Sequence, residues 1–200
     1  MVGYSRAVLR TGSILAMLFC MSVASAAGTP PAHYTLDPTR SLLRFTFTQA
    51  GASNTGRFNK FTTDFLFAAD NLPASKLDVT VDVGALDTGD TERDDTLKGA
   101  DLFDVAKYPK AHFHATKLTV SGTSKYDAAG KLTIRNVTKD LKVPLVLQTK
   151  TEQGKTVGYL TGRVTIRRND FGVGQGDWKA TDQVADEVTI SFSLRLVPAS

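Results

Sequence analysis

The sequence predicts an all-β protein made of about eight antiparallel strands, and two features of the chain support this fold class. Most apolar residues alternate with polar ones, and short turn motifs separate the alternating runs. The clearest run is residues 188–196 (VTISFSLRL), in which every second residue is apolar. A strand of this kind buries one face and leaves the other in water, which is typical of an antiparallel sheet.

The alternating runs follow one another from residue 42 to residue 197. Their apolar faces are marked by Leu43, Phe45 and Phe47; Phe61, Phe65 and Phe67; Leu77, Val79, Val81 and Val83; Phe113; Leu132 and Ile134; Val143, Leu145 and Leu147; Leu160, Val164 and Ile166; and the apolar residues of 188–196. Turns are expected at residues 127–131, 152–155 and 169–177. Such strands either stack as two sheets or close into a barrel, and closure removes the exposed edges. A barrel of about eight strands is filled by side chains or holds one small ligand.

The segment 87–109 is too long for a hairpin, and its acidic start (DTGDTERDD, residues 87–95) has three interpretations. A calcium-binding EF-hand loop fails because Gly89, Glu92 and Lys98 occupy its third, sixth and twelfth positions. Paired catalytic carboxylates need environments that separate their pKa values, and so polar a segment offers none. The start of a short surface helix remains, and it fits the residue pattern.

That helix has the expected capping residues at both ends. Asp90 or Thr91 can accept a hydrogen bond from the first free backbone N–H groups, and further acids fill the first turn. Lys98 lies in the last turn, and Gly99 is expected to end the helix in the left-handed conformation. Leu97 is the only apolar anchor, so the helix is predicted to lie on the surface.

Two histidines in the motif KAHFHA, His112 and His114, would share one face of a strand, as a pair of metal ligands does. A third ligand is missing nearby, since His33 lies close to the start of the domain. We therefore predict an exposed polar face and no metal site.

No catalytic motif stands out. The sequence has no G-x-S-x-G nucleophile motif. Residues 172–176 (GVGQG) superficially resemble a dinucleotide-binding loop, but the spacing is wrong and no βαβ pattern surrounds them. They are predicted to form a turn, and no cofactor is predicted.

The first 27 residues have the features of a secretory signal peptide. Arg6 and Arg10 precede an apolar stretch that is too short to span a bilayer, and residues 24–26 (ASA) form a cleavage motif. We predict a signal peptide at residues 1–27 and one domain at residues 28–200. Lipid attachment at Cys20 is the alternative, and the bulky Phe19 before it argues against that.

Composition restricts the partners of the mature domain. Cys20 is the only cysteine, so a chain without the signal peptide has no disulfide, thiolate nucleophile or cysteine metal site. The whole chain has a net charge of +4, and loss of Arg6 and Arg10 reduces it to +2. With no basic run, nucleic acid and electrostatic membrane binding are not expected. The product is predicted to be soluble and outside the cytoplasm.

Several motifs together resemble the YceI family of bacterial periplasmic, lipocalin-like, polyisoprenoid-binding proteins. They are DTGDTERDDTLKGADLFD, DLFDVAKYPKAHFHATKL, GKLTIRNVTKDLKVPLVL, RRNDFGVG and VADEVTISFSLRL, in this order. The chain departs from the family at Asn136, where glycine is usual. Since asparagine tolerates positive φ, the turn is expected to survive. The paired histidines of HFH are also unusual.

The resemblance implies an eight-stranded antiparallel lipocalin-like barrel with a short helix inserted between strands 3 and 4. It also implies an elongated hydrophobic cavity for an isoprenoid lipid or quinone, a periplasmic location and no catalysis. Transient membrane contact and a homodimer through the barrel mouth are further expectations. Strand parity gives the candidate ligand-binding residues Phe45, Phe47, Phe65, Val79, Val81, Phe113, Ile134, Val188, Ile190 and Phe192.

Arg167, Arg168 and Trp178 lie beside the glycine-rich loop and could form the mouth, although surface and turn roles fit them better. Two alternatives to a lipid carrier stay open. One is a filled barrel that acts as a non-catalytic periplasmic stress or scaffold protein. The other is a redox accessory of a membrane quinone system, which needs buried polar groups facing the lumen.

Overall fold

The computed structural model describes residues 29–199, together with Met1 and Gly3. The predicted signal peptide thus lies almost wholly outside the described residues. In the part of the chain that is described, no helix has the length and hydrophobicity that a bilayer crossing requires.

The described chain is almost entirely β-structure, with one short α-helix. In chain order its elements are β1 (Ala32–Leu36), β2 (Leu42–Gln49), β3 (Ala52–Phe58), β4 (Phe61–Phe67), β5 (Lys76–Asp82), β6 (Leu86–Asp87), α1 (Thr91–Lys98), β7 (Lys110–Gly122), β8 (Lys125–Ile134), β9 (Val137–Glu152), β10 (Lys155–Arg167) and β11 (Val184–Pro198).

The strands close into a barrel. β2 pairs with one part of β11 and β1 with the other, so β1 and β2 occupy a single position in the wall. β3 pairs with β2 and β4 with β1, so these two strands share the next position. All pairings are antiparallel, and the ring β1-β4-β5-β7-β8-β9-β10-β11 closes back on β1. The predicted all-β, eight-stranded antiparallel barrel is therefore confirmed, and α1 lies between its third and fourth strand positions, as expected.

The connections separate the two ends of the barrel. At the end that we call the upper end lie the β2–β3 hairpin, the connection 83–109 with α1, the β8–β9 turn and the connection 168–183. At the lower end lie the connection 68–75, the β7–β8 turn and the β9–β10 turn.

The lower end is closed by a packed core. Phe65 is only 1% exposed, and Leu196 is fully buried beside it. The other buried members of this cluster are Tyr34, Leu77, Ala115, Leu118, Ala128, Val143, Leu145, Leu147, Leu160 and Leu194. These buried side chains fill the lower part of the barrel interior.

One predicted turn is wrong. Residues 127–131 (DAAGK) lie inside β8, and the actual turn is at residues 123–124, where Ser124 has a φ of 56°. The small residues serve close packing instead, because a Cβ atom on Gly130 would lie 2.2 Å from the carbonyl oxygen of His114. The turn at residues 152–155 is confirmed, with positive φ at Gln153 and Gly154.

The β8–β9 turn survives without glycine, but not for the reason expected. The positive φ of 54° belongs to Arg135 and not to Asn136. The Arg135 guanidinium donates to the carbonyl oxygens of Leu102 and Gly172. It thereby joins the β8–β9 turn to both long connections of the upper end.

Glycines on β10 create space for neighbouring groups. A Cβ atom on Gly162 would lie 2.4 Å from Cζ of Phe192 and 2.6 Å from the carbonyl oxygen of Pro144. Gly162→Ala is therefore expected to lower the free energy of unfolding by about 1–3 kcal/mol. Gly158→Ala on the same strand is the control, since its Cβ atom would meet only side chains, at 3.4 Å and beyond. Urea unfolding of both variants measures the difference, and equal stabilities would contradict the steric explanation.

The break between β1 and β2 is held by the buried Arg195. Its Nη1 donates to Oδ2 of Asp37 at 2.7 Å, and its Nη2 donates to Oε2 of Glu152 at 2.6 Å. Hydrogen bonds, first from the Thr39 side chain and then from Arg195, lower the pKa of Asp37 to about 2, although desolvation opposes them. Asp37 is therefore ionised over nearly the whole working range of pH.

This pKa predicts an acid-sensitive contribution to stability. The folded pKa of about 2 lies below the ordinary value of 3.8. Ionised Asp37 therefore makes its full contribution to stability at any pH above 3.8. The contribution is lost as the pH falls from about 4 towards 2. In urea unfolding at pH 6 to 2, wild type should lose its advantage over Asp37→Asn within this window. Asp140→Asn, at an exposed pair with Lys131, should show no such convergence.

Candidate ligand cavity

The upper half of the barrel encloses a cavity of about 540 Å³. Phe45 and Phe47 on β2 line it from one side, and Val79 on β5 and Phe113 on β7 line it from another. Further apolar lining comes from Leu43, Phe58, Phe61, Leu77, Val81, Val83, Leu132, Ile134, Leu141, Val143, Leu145, Leu160, Val164, Ile166, Val184, Val188, Ile190, Phe192 and Leu194. The volume lies within the range of about 300–1,000 Å³ that is typical of small-molecule sites.

Nine of the ten candidate residues from strand parity lie on the cavity wall. They are Phe45, Phe47, Val79, Val81, Phe113, Ile134, Val188, Ile190 and Phe192. Phe65 does not, because it packs into the core of the lower end. Their contact with a ligand stays a prediction.

Cross-strand register brings the lining residues together. Phe45 pairs with Ile190 and Phe47 with Val188, so alternate residues of β2 and β11 face the same space. The rings of Phe45 and Phe58 lie 5.0 Å apart. Gly56 allows this arrangement, since a Cβ atom there would lie 2.3 Å from the Phe45 ring.

Part of the upper lining was not predicted from the sequence. Leu97 of α1 and Phe103 line the cavity, and so do Leu102 and Val173 from the two long connections. None of them belongs to an alternating run. In the sequence they stand as isolated apolar residues within polar segments. The same pattern is typical of a loop or helix that is anchored on the protein surface by one apolar side chain.

Helix α1 lies at the cavity opening, where Gln49, Asp90, Glu92, Arg93 and Thr96 form what we call the polar rim. Asp90 is the N-cap, and its Oδ1 accepts a hydrogen bond from the backbone N–H of Arg93 at 3.1 Å. The predicted helix is therefore confirmed.

The acids before and within α1 hold the segment in place. Oδ1 of Asp94 accepts hydrogen bonds from the N–H and the hydroxyl of Thr88 at 2.9 and 2.7 Å. Hydrogen bonds from Arg57, and then from the N–H of Gly89, lower the pKa of Asp87. Gly99 differs from expectation, because its φ is −63° and the helix ends in a tight turn from its N–H to the carbonyl of Thr96.

Arg168 is a buried structural residue, 4% exposed, although it lies against the cavity. Its guanidinium donates to the carbonyl oxygens of five residues of the connection 168–183 and the start of β11: Val173, Trp178, Ala180, Val184 and Ala185. Gly174 makes room for it, since a Cβ atom there would lie 2.0 Å from Nη1. Burial lowers the pKa of Arg168, and the charge of Asp186 opposes this shift.

The other two residues proposed for the mouth, Arg167 and Trp178, differ in whether they line the cavity. Arg167 is exposed at the end of β10 and does not line the cavity, whereas Trp178 does. Trp178 is also the only tryptophan in the sequence. Its fluorescence therefore reports directly on this region.

Residues 34–196 match the family model described as the YceI-like domain. The chain belongs to this family. A UPF0312 protein of Vibrio parahaemolyticus is 34% identical over 134 residues, which cover 66% of this chain and 71% of the relative. The crystal structure of Burkholderia cenocepacia BcnA is 32% identical, with a TM-score of 0.75, and the match covers 80% of this chain and 98% of that one.

A second solved structure is more distant in sequence. The structure of a polyisoprenoid binding domain from Saccharophagus degradans has a TM-score of 0.66 at 17% identity. The match covers 84% of this chain and 99% of that one. At this identity the likeness shows the fold alone.

The histidines of this YceI-like chain lie mainly on the outside of the barrel, and His112 also borders the cavity. His112 and His114 are exposed, and His112 Nδ1 shares a hydrogen bond with the hydroxyl of Thr80 at 3.1 Å. His114 contacts Asp78, and Nε2 of His33 lies 2.6 Å from Oδ1 of Asp64. Between residues 29 and 199 no three His, Cys, Asp or Glu side chains form a group suited to a metal ion.

Proposed function

We propose that this protein binds a polyisoprenoid lipid, by its tail, in the cavity of the upper half of the barrel. The observation that carries the proposal is the cavity itself, about 540 Å³ in volume, whose lining is mostly apolar side chains. The YceI-like family and the name of the Saccharophagus neighbour support the same class of ligand. The tail gains free energy by leaving water, which needs only apolar walls.

The depth of the cavity limits the length of tail inside it. On β10 the lining residues run from Leu160 to Ile166, and on β2 from Leu43 to Gln49. At a rise of about 3.3 Å per residue and a tilt of about 40°, such a stretch is about 15 Å deep. An extended isoprenoid chain advances about 5 Å per unit, so about three units fit. Longer tails fold back or protrude beyond the rim.

The location is part of the proposal. A signal peptide at residues 1–27 directs residues 28–200 to the periplasm, where a long apolar tail needs a carrier between membranes. We propose a binding and transport role without catalysis.

The alternatives from the sequence have weaker support. A filled barrel describes the lower half of the molecule but not the upper half, where the cavity is far larger than a packing defect. A redox accessory needs polar groups deep in the lumen. In the described residues the polar lining beyond the rim is limited to His112, which is exposed, and Arg168, which donates to backbone carbonyls.

Mass spectrometry of an organic extract tests the proposal. Protein purified from a bacterial periplasm should release a stoichiometric polyprenyl species. Titration of delipidated protein with prenols of ten, fifteen and forty carbons, followed by Trp178 fluorescence, should show affinity rising at least about tenfold from ten to fifteen carbons. Beyond about twenty carbons the gain per carbon should be small. An empty extract and no binding of any prenol would overturn the proposal.

A further inference from the structure

The connection 83–109 reaches across the upper end of the barrel from a narrow base. The backbone N–H of Val83 donates to the carbonyl oxygen of Pro109 at 2.9 Å, so the two ends of the connection are joined where β5 ends and β7 begins. Between these ends, β6 pairs with β3 on one side of the ring. The chain then crosses to the β8–β9 turn and the connection 168–183 on another side. A segment with one base that spans an opening has the geometry of a lid.

The side of this connection that lies towards the cavity is apolar. Leu97, Leu102 and Phe103 all line the cavity, and Leu102 is buried. The ring of Phe103 lies 6.4 Å from that of Phe58 on β3, in an edge-on arrangement. A lipid tail in the cavity would therefore contact these side chains and would have to part from them to leave.

The far side of the connection is held by one side chain, Arg135 of the β8–β9 turn. Its Nη1 donates to the carbonyl oxygens of Ala100 and Leu102, and also to that of Gly172. Its Nη2 lies 3.7 Å from Oδ2 of Asp104, and the two side chains are only 13% and 7% exposed. One guanidinium thus ties the connection to its neighbours across the opening.

The backbone of the part held by Arg135 is in a rarely occupied conformation. Asp104 has a φ of 48°, and among the non-glycine residues with positive φ in the described chain it is the only one outside a hairpin turn. This conformation costs free energy that the surrounding contacts must offset. The contacts of Arg135 contribute to that offset, so the closed position of this part depends on them.

We propose that the connection 83–109 is a lid over the cavity, and that Arg135 is the latch that keeps it closed and so sets the rates of ligand entry and exit. The ligand part of this inference rests on the proposed function, whereas the opening of the lid is a property of the protein alone. Arg135 does not line the cavity, so its bonds stabilise the closed lid whether or not a ligand is inside. A weaker latch therefore speeds association and dissociation together and leaves Kd nearly unchanged.

Arg135→Asn tests the latch, because asparagine tolerates the φ of 54° at this position and removes the guanidinium. Gln153→Asn is the matched control, since Gln153 has a φ of 49° in the β9–β10 turn at the lower end. Hydrogen exchange, followed by mass spectrometry, should show the amides of residues 99–108 exchanging at least about tenfold faster in Arg135→Asn than in wild type. The control, and strands β9 to β11 in both variants, should exchange as in wild type.

Stopped-flow mixing with farnesol, followed by Trp178 fluorescence, measures the ligand rates. In Arg135→Asn the association and dissociation rate constants should both rise at least about fivefold, with Kd within about twofold of wild type. Gln153→Asn should keep the wild-type rates. If Arg135 only supported the shape of the cavity, its loss would instead weaken Kd through faster dissociation alone.

A reversible cross-link should have the opposite effect. The backbone N–H of Gln175 donates to the carbonyl oxygen of Asp101 at 2.7 Å, so these two exposed residues are adjacent across the edge of the lid. Asp101→Cys with Gln175→Cys joins them on oxidation, in a domain (residues 28–200) that has no other cysteine. Protein that mass spectrometry shows to be bridged should bind and release farnesol at least about fivefold more slowly than the same protein after reduction.

The outcomes separate the two proposals. If farnesol does not bind wild type, the proposed function fails and the control of ligand rates falls with it, while hydrogen exchange still decides whether Arg135 holds the lid. If residues 99–108 exchange no faster in Arg135→Asn, or equally fast in Gln153→Asn, the latch is overturned. Faster exchange with unchanged farnesol rates, or farnesol rates that the cross-link does not slow, overturns the role of the lid in ligand entry and exit.

Discussion

Replacing Arg168 with methionine is expected to lower the free energy of unfolding by about 3–5 kcal/mol. The guanidinium is buried and donates to five backbone carbonyls, which no apolar side chain can satisfy. These bonds hold the connection 168–183 against the barrel. Without them, water must enter or the connection must leave its place. Urea unfolding, followed by circular dichroism, measures the loss.

Arg167→Met is the matched control, because the neighbouring arginine has the same chemistry but is exposed. Its effect should stay within about 0.5 kcal/mol. Arg168→Lys should recover little stability, since an ammonium cannot reach carbonyls on several sides as a planar guanidinium does. Equal losses in the Arg168 and Arg167 variants would show that the buried bonds contribute nothing net.

Replacing Ile190 with tryptophan is expected to reduce prenol affinity at least about tenfold, with little loss of stability. Ile190 lines the cavity, so the larger ring occupies space that the proposed tail needs. Overpacking normally costs about 1–3 kcal/mol, but here the cavity absorbs the added volume. Binding is measured by competition, because the new tryptophan alters the intrinsic fluorescence.

Ser191→Trp places the same ring on the next residue of β11, and successive side chains of a strand point to opposite faces. It should leave prenol affinity unchanged. If Ile190→Trp binds prenols as well as wild type does, the tail does not occupy this cavity. A loss of affinity in both variants would indicate a general disturbance of β11.

Strand parity predicted the inner face of the barrel well, because the side-chain period in a strand is fixed by backbone geometry. Strand parity could not predict how far along the barrel, between its two ends, an inward-facing residue lies. Phe65 and Phe61 share a face of β4, yet Phe65 packs into the lower core and Phe61 lines the cavity. Which of these two side chains faces the cavity is decided by packing neighbours from several strands at once.

Other errors have equally local causes. The motif DAAGK has the composition of a turn, but Gly130 serves the close approach of β7, which only the folded barrel reveals. Arg167 and Arg168 are indistinguishable in the sequence. Their opposite environments follow from the end of β10, where the chain leaves the alternating pattern and turns inward.

The packed lower end has a consequence for how such a protein would work between two membranes. A barrel whose cavity opens at one end only cannot act as a channel, because a lipid cannot pass through it from one membrane to the other. Under the proposed transport role, the same rim would face the donor and then the acceptor, so the molecule would detach and reorient between the two encounters. The rate of delivery would then depend on the number of free carriers and on the time each one spends diffusing, in the manner of a shuttle.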